Sequence, residues 1–238
     1  MKPLAEILFE DEFLIVVNKP SGIPVIPTRT AEMDKSLKYY YKKKLGEIFI
    51  VHRIDMETSG IVILAKDAET HRLLSLMFQN RQIRKFYVLL TRGLPRPDEG
   101  QIDLPLKKLN NQNKSVVAKD GKSASTVYKV VETFGNFALL EAEILTGRHH
   151  QIRVHFQNII TPLLVDPIYG DNAFFLSEIK GKKYRKAKHE EEKPLLSRVS
   201  LHAHKLEFKH PMTNNSLELA AELPKDLRAV INQLRKSV

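Results

Sequence analysis

The sequence predicts an α+β protein built on a mixed, mostly antiparallel β-sheet with flanking helices. Short apolar or alternating runs bounded by turn residues outnumber the segments with helical periodicity. Two such runs, residues 125–133 and 137–145, meet across Gly135-Asn136, which is typical of a β-hairpin. From Pro224 onward, apolar residues recur at helical spacing and predict an amphipathic helix. The residues expected on its inward face are Leu227, Val230, Ile231 and Leu234.

The first half of the chain begins with two short predicted strands, residues 7–9 and 13–17, on either side of an acidic turn. Residues 18–22 contain Pro and Gly and predict another turn. We interpret Lys19 in this turn as a solvated lysine in preference to the alternative, a phosphate or substrate contact. A helix is predicted over residues 34–45. Its three consecutive tyrosines leave a helix in different directions, so at least one should be core, although aromatics beside lysines can also stack on bases.

The next elements alternate between strand and helix. Residues 61–65 form an apolar run that predicts a buried strand. Asp67 is a good N-cap for a helix over residues 68–81. The apolar residues expected on its buried face recur at helical spacing and are Leu73, Leu74, Met77 and Phe78. Residues 85–90 predict a further strand.

The second half contains more irregular chain. Residues 94–122 are rich in Pro, Asn, Lys and Gly and predict a loop-dominated connection with one or two short strands. After Gly147 we expect a short helix with Arg153 on its polar side, sharing a face with His149. Residues 172–196 form a charged insertion without a clear period, for which we expect a mobile segment that touches RNA.

The last predicted strands, residues 201–208 and 216–221, are joined by a turn at 210–215. We expect a single domain over residues 1–238, with no separate N-terminal RNA-binding domain because the first strand already includes Phe9.

Composition narrows the class of partner. The chain has 238 residues, 42% of them hydrophobic, and no run approaches the length of a membrane span. It has no cysteine, so disulfides, thiolate metal sites and a cysteine nucleophile are excluded. We therefore expect a cytoplasmic protein, and a monomer because no exposed apolar helix requires a partner.

The net charge of +10 predicts a polyanionic partner, and the lysines are clustered. The clusters are Lys42–Lys44, Lys107-Lys108 and the run from Lys180 to Lys188.

The stretch from His52 to Gly60 concentrates chemical groups before the buried strand 61–65. It places an imidazole, a guanidinium and the Asp55 carboxylate within four residues, on a loop next to a rigid element. An alternative interpretation is structural, with Asp55 closing an Asx-turn and its neighbours acting as surface donors.

Several chemistries lack their patterns. The pairs His149-His150 and His202-x-His204 could suggest a metal, but no adjacent carboxylate cluster or His-Glu-x-x-His arrangement supports one, so we expect no metal site. The serine-hydrolase motif Gly-x-Ser-x-Gly and glycine-rich phosphate loops are missing. A single carboxylate with an arginine partner suits nucleophilic or electrostatic work.

Motifs in five regions resemble, in the same order and over nearly the whole chain, the RluA-type family of RNA pseudouridine synthases. The motifs are His52-Arg53-Ile54-Asp55-x-x-Thr58-Ser59-Gly60, Lys85-x-Tyr87, Gly121-Lys122-x-Ala124-x-Thr126, Thr146-Gly147-Arg148-x-His150-Gln151-Ile152-Arg153-x-His155, and Leu201-His202-Ala203 with His210-Pro211. Three positions depart from the usual pattern: Ile54, His149 and Val165.

The resemblance implies an isomerase that detaches the uracil of a flipped uridine, turns it and reattaches it to ribose through carbon. It implies that Asp55 is the essential carboxylate, that Tyr87 lies against the target base and that Arg153 pairs with Asp55. Whether Asp55 attacks the sugar, adds to the base or removes a ribose proton is left open. It also implies that Arg53 fills the gap left by the flipped nucleotide. The fold implied is the pseudouridine synthase catalytic fold, with no cofactor.

The expected RNA substrate is structured rRNA or tRNA, with contacts from five residues near the catalytic positions. These are His52, Arg53, Thr58, Arg148 and Ile152. For His52, a structural hydrogen bond is at least as good an interpretation as a phosphate contact. The alternative function is a non-catalytic RNA-binding or ribosome-assembly factor on the same scaffold, although binding alone would require only the lysines.

Overall fold

The computed structural model describes residues 4–27, 35–110, 112–185 and 191–237. Residue 34, the expected start of the first helix, and residues 186–188 of the basic run lie outside these ranges. The chain forms two compact units. The first comprises the residues up to Tyr87 together with His202–Glu222, and the second comprises Val88–Leu201 and the chain from Leu223 onward. The expectation of a single catalytic domain stays a prediction.

The strands are short and their bounds follow chain order. They are β1 Glu6–Glu10, β2 Leu14–Lys19, β3 Phe49–Ile50, β4 Ser59–Ala65, β5 Arg84–Arg92, β6 Glu99–Asp103, β7 Leu106–Lys108, β8 Ser115–Val117, β9 Ser125–Phe134, β10 Phe137–Ile144, β11 Leu201–Lys209 and β12 Ser216–Ala220. The helices are α1 Leu37–Leu45, α2 Ala68–Gln79, α3 Gln151–Asn158, α4 Leu176–Lys180 and α5 Lys225–Arg235.

The first unit is built around β4, all seven residues of which are buried. Strand β2 pairs with β4 antiparallel, and β1 pairs with β2 in the same way. On the other side β11 pairs with β4 in parallel, and β12 extends β11 antiparallel. A strand buried on both faces reads as a continuous apolar run, and this explains why the sequence located β4 correctly.

Two helices cover this sheet of the first unit. Helix α1 begins after Ser36, whose side-chain oxygen accepts the Tyr39 N–H at 3.3 Å, and it buries Leu37 and Tyr41. Helix α2 begins after Asp67, whose carboxylate accepts the Thr70 N–H at 2.8 Å. The predicted N-cap at Asp67 and the core position among the three tyrosines are therefore confirmed.

The second unit contains the predicted hairpin. Strands β9 and β10 pair antiparallel across Gly135, which has a φ of +58°, and β6 pairs with β9. Strands β7 and β8 form a separate two-stranded ribbon. Helix α5 buries the four residues predicted for its inward face. Of the strand pairs given above, β4 with β11 is parallel and the others are antiparallel, so the α+β class with a mixed, mostly antiparallel sheet is confirmed.

The structure differs from the sequence prediction in the short and polar elements. The two-residue strand β3 was not predicted, and residues 94–122 contain three strands where one or two were expected. The insertion is anchored at both ends by a bridge between Phe174 and Leu196 and contains α4. Arg92 binds Glu178 in this segment and Asp171 immediately before it. Contacts between residues that are distant in the sequence leave no periodic pattern in it, so they could not be predicted.

Helix α3 also departs from its predicted amphipathic character. Its residues from Gln151 to Phe156 are all buried, including Arg153. His150 precedes the helix in a left-handed conformation, with a φ of +56°, so His149 lies outside the helix and does not share a helical face with Arg153. Within the described ranges, the helices are too short or too polar to cross a bilayer.

Candidate active site

The loop that carries Asp55 joins β3 to β4 in the first unit. It reverses direction in a turn in which the Thr58 N–H donates to the Asp55 carbonyl oxygen at 3.1 Å. Asp55 is half-buried, whereas Arg53, two residues earlier, is exposed. Thr58 is buried directly before β4. The loop thus holds its carboxylate residue beside a rigid strand and leaves its arginine accessible.

The turn that follows β2 fixes the Asp55 loop. Lys19 is fully buried, and its Nζ donates to the carbonyl oxygens of Pro20, Ile23 and Met56 at 2.8–2.9 Å. The Gly22 N–H also donates to the Met56 carbonyl oxygen, at 2.9 Å. The interpretation of Lys19 as a solvated turn lysine is therefore wrong. Its ammonium binds the carbonyl oxygen of Met56, the residue immediately after Asp55, and its three partners together compensate for the loss of hydration.

The end of the loop is fixed by a close approach of two backbones. Gly60 lies opposite Ala203 of β11, and a Cβ added to Gly60 would lie 2.1 Å from the Ala203 carbonyl oxygen. Next to it, the Ser59 hydroxyl lies 2.9 Å from Nδ1 of the buried His202. Gly60 also has a φ of +118°, so glycine is required both by its conformation and by the contact.

His52 is part of the fold of this loop. Its Nε2 accepts the Ile63 N–H of β4 at 3.0 Å, and its ring stacks on Phe78 of α2 at 4.6 Å. Burial, and to a lesser degree the charge of Lys85, lower the pKa of His52 to about 3. The imidazole is thus neutral at physiological pH. These contacts support a structural role for His52, the alternative to a phosphate contact. A neutral imidazole also has no charge with which to bind a phosphate.

Tyr87 lies on β5 in the same unit as Asp55, and its side chain is largely buried. Burial, and to a lesser degree the charge of Asp55, raise the pKa of Tyr87 above its ordinary value. The phenol therefore keeps its proton. The predicted carboxylate and phenol belong to the same unit, and the charge of Asp55 is the smaller of the two causes of this shift.

Arg153 belongs to the second unit and is almost fully buried on α3. Its Nε and Nη2 donate to the two carboxylate oxygens of Asp166, both at 2.7 Å. The Asp166 carboxylate also accepts the N–H groups of Ile168 and Tyr169 at 3.0 and 3.2 Å. This bidentate pair fixes the guanidinium plane. Asp166 was not predicted as a partner of Arg153, and the expected pairing of Arg153 with Asp55 stays a prediction.

The segment before α3 is organised by Gln151. Its side-chain oxygen accepts the Arg148 N–H at 3.0 Å and the Thr146 hydroxyl at 2.7 Å, and its amide donates to the carbonyl oxygen of Ser125. Arg148 in turn donates from Nε to the Ser123 carbonyl oxygen at 2.9 Å. The predicted RNA contact Ile152, by contrast, is buried in the second unit. Gln151 belongs to the motif that begins at Thr146, but no role was predicted for it.

The histidine pairs that raised the question of a metal have other contacts. His149 and His150 stack at 3.8 Å, and His150 Nδ1 lies 2.9 Å from the Tyr169 hydroxyl. His202 and His204 both approach the Ala221 carbonyl oxygen, at 3.3 and 2.8 Å. In the part of the chain that the structure describes, no three His, Asp or Glu side chains are grouped for a metal ion.

Known proteins resemble this chain over most of its length. A sequence model of the family described as RNA pseudouridylate synthase matches residues 13–158. The ribosomal large subunit pseudouridine synthase D of Zymomonas mobilis is 35% identical over 242 residues, 96% of this chain and 72% of the relative. The dual-specificity RNA pseudouridine synthase RluA of Escherichia coli is 34% identical over 223 residues, 92% of this chain and 94% of the relative.

A solved structure agrees with the sequence relatives. Human RNA pseudouridylate synthase domain containing 4 matches with a TM-score of 0.74 and 26% identity, covering 97% of this chain and 93% of that one. The fold and these relatives define an RNA-modifying isomerase. The chain belongs to the RNA pseudouridylate synthase family. The predicted family, the enzyme class and RNA as the substrate are thereby confirmed.

Proposed function

We propose that this chain converts specific uridines in structured rRNA or tRNA to pseudouridine, with Asp55 as the essential carboxylate. The observation that carries the assignment is the anchored Asp55 loop, which belongs to the same unit as the buried phenol of Tyr87. A relative named for the large ribosomal subunit supports rRNA as a substrate class. A relative named for dual specificity supports a second kind of RNA target, for which we propose tRNA.

The chemistry requires one bond to break and one to form. The bond between N1 of uracil and C1′ of ribose breaks, and a bond between C5 and C1′ replaces it. C5 loses a proton and N1 gains one, so the isomerisation balances without a co-reactant. We assign the Asp55 carboxylate to the reacting nucleoside, where it acts as a nucleophile toward the sugar or the base, or as a base that removes a ribose proton. Tyr87, a neutral phenol, offers a flat face for the uracil and a hydroxyl for hydrogen bonding during proton movement.

Access to the uridine requires base flipping. Neither C1′ nor C5 is accessible in a stacked nucleotide, and extrusion costs a few kcal/mol. Arg53 is exposed on the same loop as Asp55, and its planar guanidinium can stack on bases and bind phosphate. We assign Arg53 to the gap left by the flipped nucleotide. The proposal retains the pairing of Arg153 with Asp55 and adds Asp166 as the residue that orients Arg153.

The proposal is tested by incubating the purified chain with rRNA and tRNA transcripts that lack pseudouridine. Pseudouridine is then mapped by carbodiimide-dependent stops of reverse transcription. New stops at one or a few uridines are expected, and their absence from every transcript would contradict the proposal. The same preparation, analysed by light scattering, tests the expected monomer. Cell fractionation tests the cytoplasmic location that the bacterial ribosomal relatives suggest.

A further inference from the structure

Helix α1 presents an exposed face that combines cations with an aromatic ring. Its buried side consists of Leu37 and Tyr41. Tyr39 is 43% exposed, and four lysines of the helix are exposed. These lysines are Lys38, Lys42, Lys43 and Lys44. The helix contains no acidic residue, so its outward face is uniformly positive.

The spacing places three of these groups side by side. Lys42 and Lys43 follow Tyr39 by three and four residues, and on a helix such positions are neighbours on one surface. A ring with two adjacent ammonium groups can stack on an unpaired base while its neighbours bind the phosphates of that strand. The three groups form what we call the α1 face: Tyr39, Lys42 and Lys43.

The fold alone does not account for the α1 face. One lysine near the C-terminus would suffice for a favourable interaction with the helix dipole, and adjacent like charges repel. Across the described ranges, no salt bridge joins Lys42 or Lys43 to another described side chain. Tyr39 has its ring partly in water, whereas Tyr41 supplies the aromatic ring that the core uses. A polyanion would compensate all of these groups at once.

We infer that the α1 face is an RNA-docking surface, at which Lys42 and Lys43 bind backbone phosphates and Tyr39 stacks on an unpaired base. The inference rests on the proposed function and extends it to nucleotides away from the target uridine. Helix α1 leads through β3 to the Asp55 loop, all within the first unit. Ten residues separate Lys43 from Arg53, so the two are at most about 35 Å apart. One folded RNA can therefore contact both.

The test compares four proteins in fluorescence anisotropy with a fluorescein-labelled RNA stem-loop that has a uridine-rich loop, and with a blunt duplex of equal length. The proteins are the wild type, Lys42→Gln/Lys43→Gln, Tyr39→Ala, and the matched charge control Lys225→Gln/Lys236→Gln. The control removes two exposed lysines at the ends of α5. Lys and Gln have similar helix propensities, so unfolding temperatures should stay close to that of the wild type.

The double lysine variant should bind both RNAs more weakly, with a log–log salt dependence less steep by about 1.5, because two phosphate contacts are lost. Tyr39→Ala should lose about fivefold or more of its affinity for the stem-loop and little for the duplex. The Lys225/Lys236 control should bind like the wild type.

Equal RNA affinity of the wild type and the Lys42→Gln/Lys43→Gln variant would overturn the inference. So would a loss of RNA affinity in the Lys225→Gln/Lys236→Gln control as large as that in the Lys42→Gln/Lys43→Gln variant. Because binding is measured without product formation, these results do not depend on turnover. If no transcript is modified, the proposed function fails, whether or not the α1 face binds RNA.

Discussion

Arg153 and Asp166 hold each other through two hydrogen bonds of 2.7 Å, and both side chains are buried, with exposed fractions of 3% and 0%. The fold therefore determines the orientation of the guanidinium in the absence of RNA. Breaking a buried ion pair leaves the remaining charge buried without a counter-charge, which destabilises the fold. This arginine therefore has a structural role as well as its proposed catalytic one.

Arg153→Ala should lower the free energy of unfolding by about 3–5 kcal/mol, because the Asp166 carboxylate would stay buried without its counter-charge. Urea denaturation measures the loss. The control Arg153→Met/Asp166→Asn removes both charges and keeps an acceptor oxygen for the backbone N–H groups of Ile168 and Tyr169. It should be more stable than the single variant. A single variant within about 1 kcal/mol of the wild type would show that the pair is not coupled as the structure has it.

Lys19→Met should destabilise the first unit by about 3 kcal/mol, because the fully buried ammonium donates to three carbonyl oxygens that would lose this donor. Lys66→Met is the matched control. Lys66 is more exposed and binds Glu10 and the Asp11 carbonyl oxygen, so its loss should cost about 1 kcal/mol or less. Thermal unfolding of both variants gives the comparison. Similar losses in the two variants would contradict the anchoring role of Lys19.

His52→Gln should make the protein less sensitive to acid. Folded His52 stays neutral down to a pKa of about 3, whereas in the unfolded chain the imidazole takes up a proton near its ordinary pKa of about 6.5. The unfolded state thus binds more protons between these values, and stability falls as pH falls. At pH 5 the wild type should have lost about 2 kcal/mol through this group.

The His52→Gln side chain can still accept the Ile63 N–H but does not titrate. Urea denaturation at pH 7 and pH 5 measures the difference for both proteins, and every other residue is the same in both. A wild type and a variant that lose equal stability on acidification would exclude a buried neutral His52.

Ile160→Gly should stabilise the second unit by about 1 kcal/mol. Ile160 follows α3 with a φ of +62°, a left-handed conformation that is unfavourable for a β-branched residue. The side chain is 86% exposed, so its removal sacrifices little burial. Asn214→Gly is the control, since Asn214 has a similar φ of +60° but asparagine tolerates it. Calorimetry should show a higher unfolding temperature for the first variant and little change for the second.

The elements with a clear period or clear turn residues were predictable from sequence. Strand β4, the hairpin of β9 and β10, the Asp67 cap of α2 and the buried stripe of α5 all follow from local patterns. The order of five motifs also identified the family. These features are encoded by residues that are neighbours in the chain.

Features that depend on remote partners were not predictable. Lys19 was predicted to be a solvated lysine because one of the acceptors that compensates its buried ammonium, the Met56 carbonyl oxygen, lies 37 residues away in the sequence. Helix α3 looked amphipathic because nothing in its own sequence indicates that Asp166 compensates Arg153. Strand β3, with two residues, is too short to show alternation. A polar group can be buried wherever a distant acceptor is available, and sequence periodicity does not report that acceptor.

The proposed function requires the Asp55 carboxylate for the isomerisation. Single-turnover assays compare the wild type with Asp55→Asn on an RNA that the wild type modifies, and RNA binding is measured in parallel. We expect equal RNA affinity and unfolding temperature for the two proteins, and no detectable pseudouridine from Asp55→Asn. Appreciable conversion by Asp55→Asn would contradict it.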